Sequence, residues 1–384
     1  MLQTASEPGC SLADLARQAQ ALSIDNARCL AVVRLGLITT LYFRNGHAQT
    51  VRERLDGCFQ RFYQAFRAEL KCQFFQHRRT LSASGFATCR RQAVKRPAEQ
   101  PLLWSLSSCG AEQAAVYSLF VMAASRTQGE NDLSCLKMVL PWSYLTEPDG
   151  LRNYEAWIRY LCSAVQAEHG FGGLACVLPT EGHRYLPLEY QLACRYSGLM
   201  VDPVPHIDSL RLLRHIKGVS WYTVLGHSFV KRLGGNDALR ARSSSWSDVQ
   251  FQAYDGGLLI RAGLVPDLGD VKAPLPRAYV RVNRLISPVR LQDTGCLHPY
   301  LPSDKGFTRE STARWYARFD DEPVQPVNAG QACPQGGYWF SNARAGSRRL
   351  FCEGELMPGF AGVKAERTQW FLDPQQDAPQ DTPG

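Results

Sequence analysis

The chain has 384 residues, with 43 Lys and Arg against 35 Asp and Glu, 45% hydrophobic and 20% charged residues. That balance excludes global disorder, and the length is ample to bury a core. The formal charge of +8 lies entirely in residues 1–100, which hold 15 basic and 7 acidic residues, so a uniformly basic nucleic-acid coat is excluded.

Residues 1–28 read as an N-terminal extension without a basic-then-apolar signal segment, and the longest nearly apolar stretch, 114–124, is too short to span a bilayer. These features predict a soluble cytoplasmic protein with no membrane association. Thirteen cysteines are scattered from Cys10 to Cys352 without a CxxC pair, which predicts free, buried thiols rather than a disulfide or zinc framework.

From Cys29 to Phe43 apolar side chains fall on odd positions, the period of a long strand with one well-buried face. From Ala48 to Lys71 the period becomes three to four (Val51, Leu55, Phe59, Phe62, Phe66, Leu70), predicting an amphipathic helix with Arg52, Arg54, Arg61 and Arg67 mainly off the stripe. Residues 78–101 are polar and basic and read as a connection or edge region. Strands are expected at 102–107, 115–122, 136–140 and 171–178, with a helix after Asp149-Gly150 and another over 186–196.

A short helix is expected from Ser209 to Ile216, then a strand over 219–225 and a helix over 227–233. Tyr254-Asp255-Gly256-Gly257 marks a hairpin between 249–253 and 258–262, because Asp-Gly suits the positive φ angles of tight turns. Residues 278–286 are expected to be helical. Strands and helices mingle without βαβ alternation, which gives an α+β fold: mixed or antiparallel sheets packed with amphipathic helices, plus a small all-β C-terminal appendage. The expected partition is a main region over 29–298, with a possible subdivision near 150, a linker over 299–330, a Gly- and aromatic-rich β module over 331–373 and a frayed tail over 374–384.

Catalytic templates fail: there is no G-x-S-x-G, H-E-x-x-H or phosphate-binding loop. His206-x-Asp208 with His215 could ligate a metal if Asp208, Arg211 and His215 shared a helical face. Two further ligands are missing, however, and Asp208 serves equally as a helix N-cap, so neither metal nor cofactor is expected.

The stretch from Tyr196 to Leu291 carries the most specific signal. It contains Gly198-Leu199-Met200-Val201-Asp202-Pro203, Ile216-Lys217-Gly218-Val219-Ser220-Trp221-Tyr222, Leu233-Gly234-Gly235 and Tyr254-Asp255-Gly256-Gly257-Leu258. Pro266-Asp267-Leu268-Gly269-Asp270-Val271 and Pro288-Val289-Arg290 complete the series. Together with the strand and helix upstream, these blocks resemble the TsiV-like family of type VI secretion immunity proteins over about residues 30–292. The resemblance implies a cytoplasmic, non-enzymatic inhibitor that binds a cognate nuclease toxin stoichiometrically and covers its active site or nucleic-acid groove.

For a basic nuclease groove, the candidate toxin-binding residues are the acids Asp267, Asp270, Asp320, Asp321 and Glu322. For an acidic toxin site, the arginines of the first quarter could do the same work. The alternative reading is a nucleic-acid-binding module using that basic quarter, which predicts salt-sensitive binding to DNA or RNA.

Overall fold

The computed structural model describes residues 11–129, 132–298, 306–320, 326–341, 343–344, 346–363 and 368–373. Helix α1 (Leu12–Ala19) starts at Ser11, whose side chain forms a capping box with Asp14, and a short β1 (Ile24–Asp25) leads into β2 (Ala31–Phe43). This long central strand extends across the sheet. Val33, Leu35, Leu37 and Leu41 point into one core while Ile38 and Tyr42 point into a second, so both faces are buried rather than one. Of its thirteen residues only Arg34 is exposed.

Helix α2 (Gln49–Phe66) lays Leu55, Phe59 and Phe62 on the first face, where Phe59 stacks on Trp104 with ring centroids 3.7 Å apart. Arg52, expected off the apolar stripe, is instead buried, because its guanidinium donates to the carbonyls of Gly46, Arg96, Pro97 and Gln100. The basic connection expected next is structured: β3 (Cys72–Phe75) and β4 (His77–Thr80) form a hairpin, and α3 (Ala83–Val94) follows, capped by Ser82.

Strands β5 (Leu102–Ser107), β6 (Ser118–Ala123) and β7 (Ser134–Pro141) continue the sheet. Helix α4 (Gly150–Val165) packs Trp157 and Ile158 into the first core and closes on Gln166 in the left-handed region. It feeds β8 (His169–Val177), α5 (Leu186–Arg195) and the single turn α6 (Pro205–Asp208). The helix expected over 209–216 does not form. Ile216 instead bridges Arg290 in parallel, its N–H donating to Val289 at 2.9 Å, and Leu210 is left 54% exposed.

Next come β9 (Tyr222–Gly226), α7 (His227–Arg232), α8 (Gly235–Arg242) and the expected hairpin of β10 (Val249–Tyr254) with β11 (Gly257–Ala262). Helix α9 (Arg277–Ile286) forms as expected. The stretch expected as a linker contains α10 (Arg309–Tyr316), opened by a Thr308–Ser311 capping box and burying Trp315 and Tyr316 in the second core. The main sheet runs β10-β11-β9-β8-β2-β7-β6-β5-β3-β4, with β1 beside β2, and these neighbours all pair antiparallel. A separate sheet joins β12 (Val327–Asn328), β13 (Gly337–Ser341), β14 (Arg349–Phe351) and β15 (Gln369–Leu372) around Trp339, Phe351 and Trp370. The α+β fold with a small all-β appendage is the observed architecture.

Candidate partner interface

Three neighbouring central strands place Lys137 (β7), Thr40 (β2) and Phe171 (β8) side by side on the second face. Asp202 and Lys217 close over this row. The Lys217 ammonium lies 5.4 Å from the Phe171 ring centroid, 2.9 Å from Asp202 Oδ1 and 2.6 Å from Asp208 Oδ2. Thr40 Oγ1 donates to Asp202 Oδ2 at 2.7 Å, and Lys137 stands 3.1 Å from the same oxygen.

Burial opposes the charge of Asp202, but the two lysines and Thr40 outweigh it and hold its carboxyl below the ordinary range. The two aspartates likewise hold Lys217 well above its ordinary value. Two cations and two anions balance, so a fifth charge is unfavourable. Glu189, 1% exposed beside this group, is pushed up to about 8 by burial, and its Oε1 has no hydrogen-bond partner among the described residues. Glu189 also lines a cavity of about 210 Å³ with Leu186, Val201, Phe307 and His298.

Asp208 is therefore a structural anion, and the suggested face of Asp208, Arg211 and His215 does not exist because the helix carrying it is absent. Among the described residues no group of three or more His, Cys, Asp or Glu is placed to hold a metal.

The outer surface is more informative for a protein partner. Gly263 to Pro276, joining β11 to α9, is a loop pinned by its own backbone. Gly263 N–H donates to Asp248, Ser197 N–H to Gly269, Gly198 N–H to Leu268 and Val271 N–H to Arg195, each at 2.7–2.9 Å. On this fixed frame Leu264 is 68%, Val271 56% and Leu275 45% exposed. A recess of about 320 Å³ beside it is lined by Asp14, Arg17, Arg195, Tyr196 and Asp270. Apolar side chains displayed on a rigid loop are what a binding anchor requires, because little entropy is lost on docking.

Two acids singled out from the sequence lie in this loop, already engaged within it. Asp267 is half-buried, accepts from Gly269 N–H at 2.8 Å and is raised above its ordinary value by burial. Asp270 accepts from Lys272 N–H at 2.9 Å and lies 3.9 Å from Arg195. Asp320 stands elsewhere, after α10, held by Asn283 at 2.8 Å and by Arg290. Burial opposes its charge, but Arg290 prevails and holds it below the ordinary range. Asp321 and Glu322 lie outside the described residues. The structure thus groups Asp267 with Asp270 and separates Asp320. The exposed leucines and valine were missed because exposure is invisible in sequence, although Leu264, Val271 and Leu275 in a Gly-, Pro- and Asp-rich segment were a usable signal.

Residues 54–319 match the model of the family described as TsiV, type VI immunity for VRR-NUC. The chain belongs to the TsiV family. Among solved structures, a Pseudomonas aeruginosa T6SS protein, PA0821, is similar to this TsiV-family chain with a TM-score of 0.71 and 25% identity, covering 81% of this chain and 91% of that one. No curated protein matches. The TsiV match takes in Lys137, Asp202, Asp208 and Lys217 and the whole 263–276 loop, and it ends before the small sheet. No helix among the described residues is long and apolar enough to cross a membrane.

Proposed function

We propose that this TsiV-family chain neutralises a cognate VRR-NUC-type nuclease effector in the cytoplasm by stoichiometric binding that occludes its active site or nucleic-acid groove, without catalysis of its own. The family match over residues 54–319 carries this reading. The rigid loop supports the binding mode: Leu264, Val271 and Leu275 act as anchors, while Asp267 and Asp270 in the same loop, and Asp320 apart from it, are the candidate acids for a basic groove. Asp321 and Glu322, which follow Asp320 in the sequence, are the remaining candidate acids.

The competing use of the basic quarter for nucleic acid loses three of its cations to contacts within the fold. Arg52 is buried among carbonyls, Arg44 pairs with Glu168, and Arg90 forms a two-pronged pair with Asp56 at 2.7 Å.

Co-expression with the effector encoded beside it tests the proposal. The expected outcome is relief of killing and a 1:1 complex on size exclusion; a pair that neither associates nor relieves killing removes it. Leu264→Arg should weaken the complex at least about tenfold, since one lost central anchor costs about 2 kcal/mol, while thermal unfolding stays unchanged.

A further inference from the structure

Between Lys71 and Arg96 the chain carries seven Lys and Arg and no Asp or Glu. This acid-free stretch builds β3, β4 and α3, and β4 ends the main sheet. Leu81 N–H donates to the Lys71 carbonyl at 2.8 Å, and the ladder continues through the pairs Cys72–Thr80, Gln73–Arg79 and Phe74–Arg78. Hydrogen-bonded and non-hydrogen-bonded pairs alternate in an antiparallel ladder. Arg78 and Thr80 therefore direct their N–H and C=O groups away from β3, toward the open edge. Among the described residues no backbone group meets them there.

The side chains around that edge are cationic on both faces. Arg78 reaches Thr180 Oγ1 at 3.1 Å on one face, and Arg79 lies beside His77 at 2.7 Å on the other. Lys71, Arg91 and Lys95 are exposed, and no carboxylate among the described residues forms an ion pair with these five cations. Like charge along an edge strand deters pairing with a second copy of itself. The same charge selects an edge of opposite sign.

We propose that β4 receives an extended, carboxylate-rich segment of the nuclease effector as an added strand, with backbone hydrogen bonds at Arg78 and Thr80 and carboxylates beside Arg78 and Arg79. The inference rests on the immunity reading above. A peptide strand fits better than a nucleic-acid backbone because the edge offers alternating donors and acceptors. Phosphates, which only accept, satisfy half of them.

The test uses the full chain and a catalytically inactive effector, with affinity measured at low and high salt. Arg78→Glu with Arg79→Glu should weaken binding at least about tenfold at low salt and flatten the salt dependence. Thr80→Pro removes one outward N–H while sparing the β3 ladder, and should weaken binding comparably with the charge intact. Hydrogen exchange on the wild-type chain gives a readout that needs no variant: the Arg78 and Thr80 amides should exchange freely alone and become protected in the complex. If the wild-type chain does not bind the effector, the immunity reading itself falls. If it binds while both variants keep full affinity and those amides stay unprotected, only the strand-addition proposal falls. Retention of duplex DNA that the double charge reversal abolishes, with effector binding intact, would overturn it in favour of a nucleic-acid surface.

Discussion

At the residue scale the second face of the sheet is governed by the charge balance around Lys217. Removing one member leaves a partner charged and buried, which is far costlier than losing an exposed pair. Lys217→Met should therefore destabilise the chain by about 3–5 kcal/mol in urea unfolding, with Asp202→Asn in the same range. Glu189 and His169 give the pH dependence its two opposing arms.

Glu189 is raised from 4.5 to about 8 by burial, so the unfolded chain ionises first and stability is lost as pH rises from about 4.5 to 8. His169 is lowered from 6.5 to about 3, chiefly by burial, so the unfolded chain takes up the proton first and stability is lost as pH falls below about 6.5. His298, held well below its ordinary value by burial, acts with the same sign. Each arm is worth at most about 1.4 kcal/mol per pH unit. Urea unfolding from pH 4 to 9 should show Glu189→Gln stabilising the chain at pH 8 with little effect at pH 4.5, and His169→Gln flattening the acid arm.

At the element scale, the strongly periodic segments were legible and the short ones were not. Strand β2, helices α2 and α4, and the β10–β11 hairpin stand close to where the spacing put them, because each carries a full apolar stripe or an unmistakable turn, while α9 forms where the apolar spacing is mixed. Helix α3 was missed because its buried side is only Phe86, Cys89 and Ala93 amid cations, although Ser82 supplied a capping signal. Helix α8 turns a single Leu and one Arg inward, Leu239 and Arg242, and α10 declares itself only through Thr308–Ser311 and the Trp315-Tyr316 pair.

The opposite case is the helix expected over 209–216, where Leu210, Leu213 and Ile216 have helical spacing but do not share a helix. Lys217 draws Asp208 inward and Ile216 pairs with Arg290 instead. The interface loop depends on Gly198 in the same way. A Cβ there would lie 2.0 Å from the Asp267 carbonyl oxygen, so Gly198→Ala must push the loop away. We expect a cost of about 1–3 kcal/mol. The Gly198 and Val271 amides should exchange faster, and effector affinity should fall because the anchor is no longer rigid.

At the scale of the whole molecule, the small sheet is seated on the main one through Glu353. Its carboxylate accepts from Trp246 Nε1 at 2.8 Å and lies 3.5 Å from the buried Arg281, which also meets Asp248 at 2.6 Å. Glu353→Ala strips Arg281 of one of two acids and Trp246 of its acceptor, a loss of about 1–3 kcal/mol. Limited proteolysis between α10 and β12 should accelerate, while effector binding by the TsiV-matched region persists.

The sequence by itself determined the fold class, the long central strand and its main helix, the separate aromatic C-terminal sheet and the family, because periodicity, turn chemistry and ordered blocks are local properties. Only the tertiary structure decided that both faces of the sheet are covered and that Arg52, Asp208 and Lys217 lie inside. It also decided that Asp267 and Asp270 share a rigid loop while Asp320 stands apart, and that an acid-free strand ends the sheet. Those outcomes depend on which distant segments meet, and no single segment encodes the charge or carbonyl it will face.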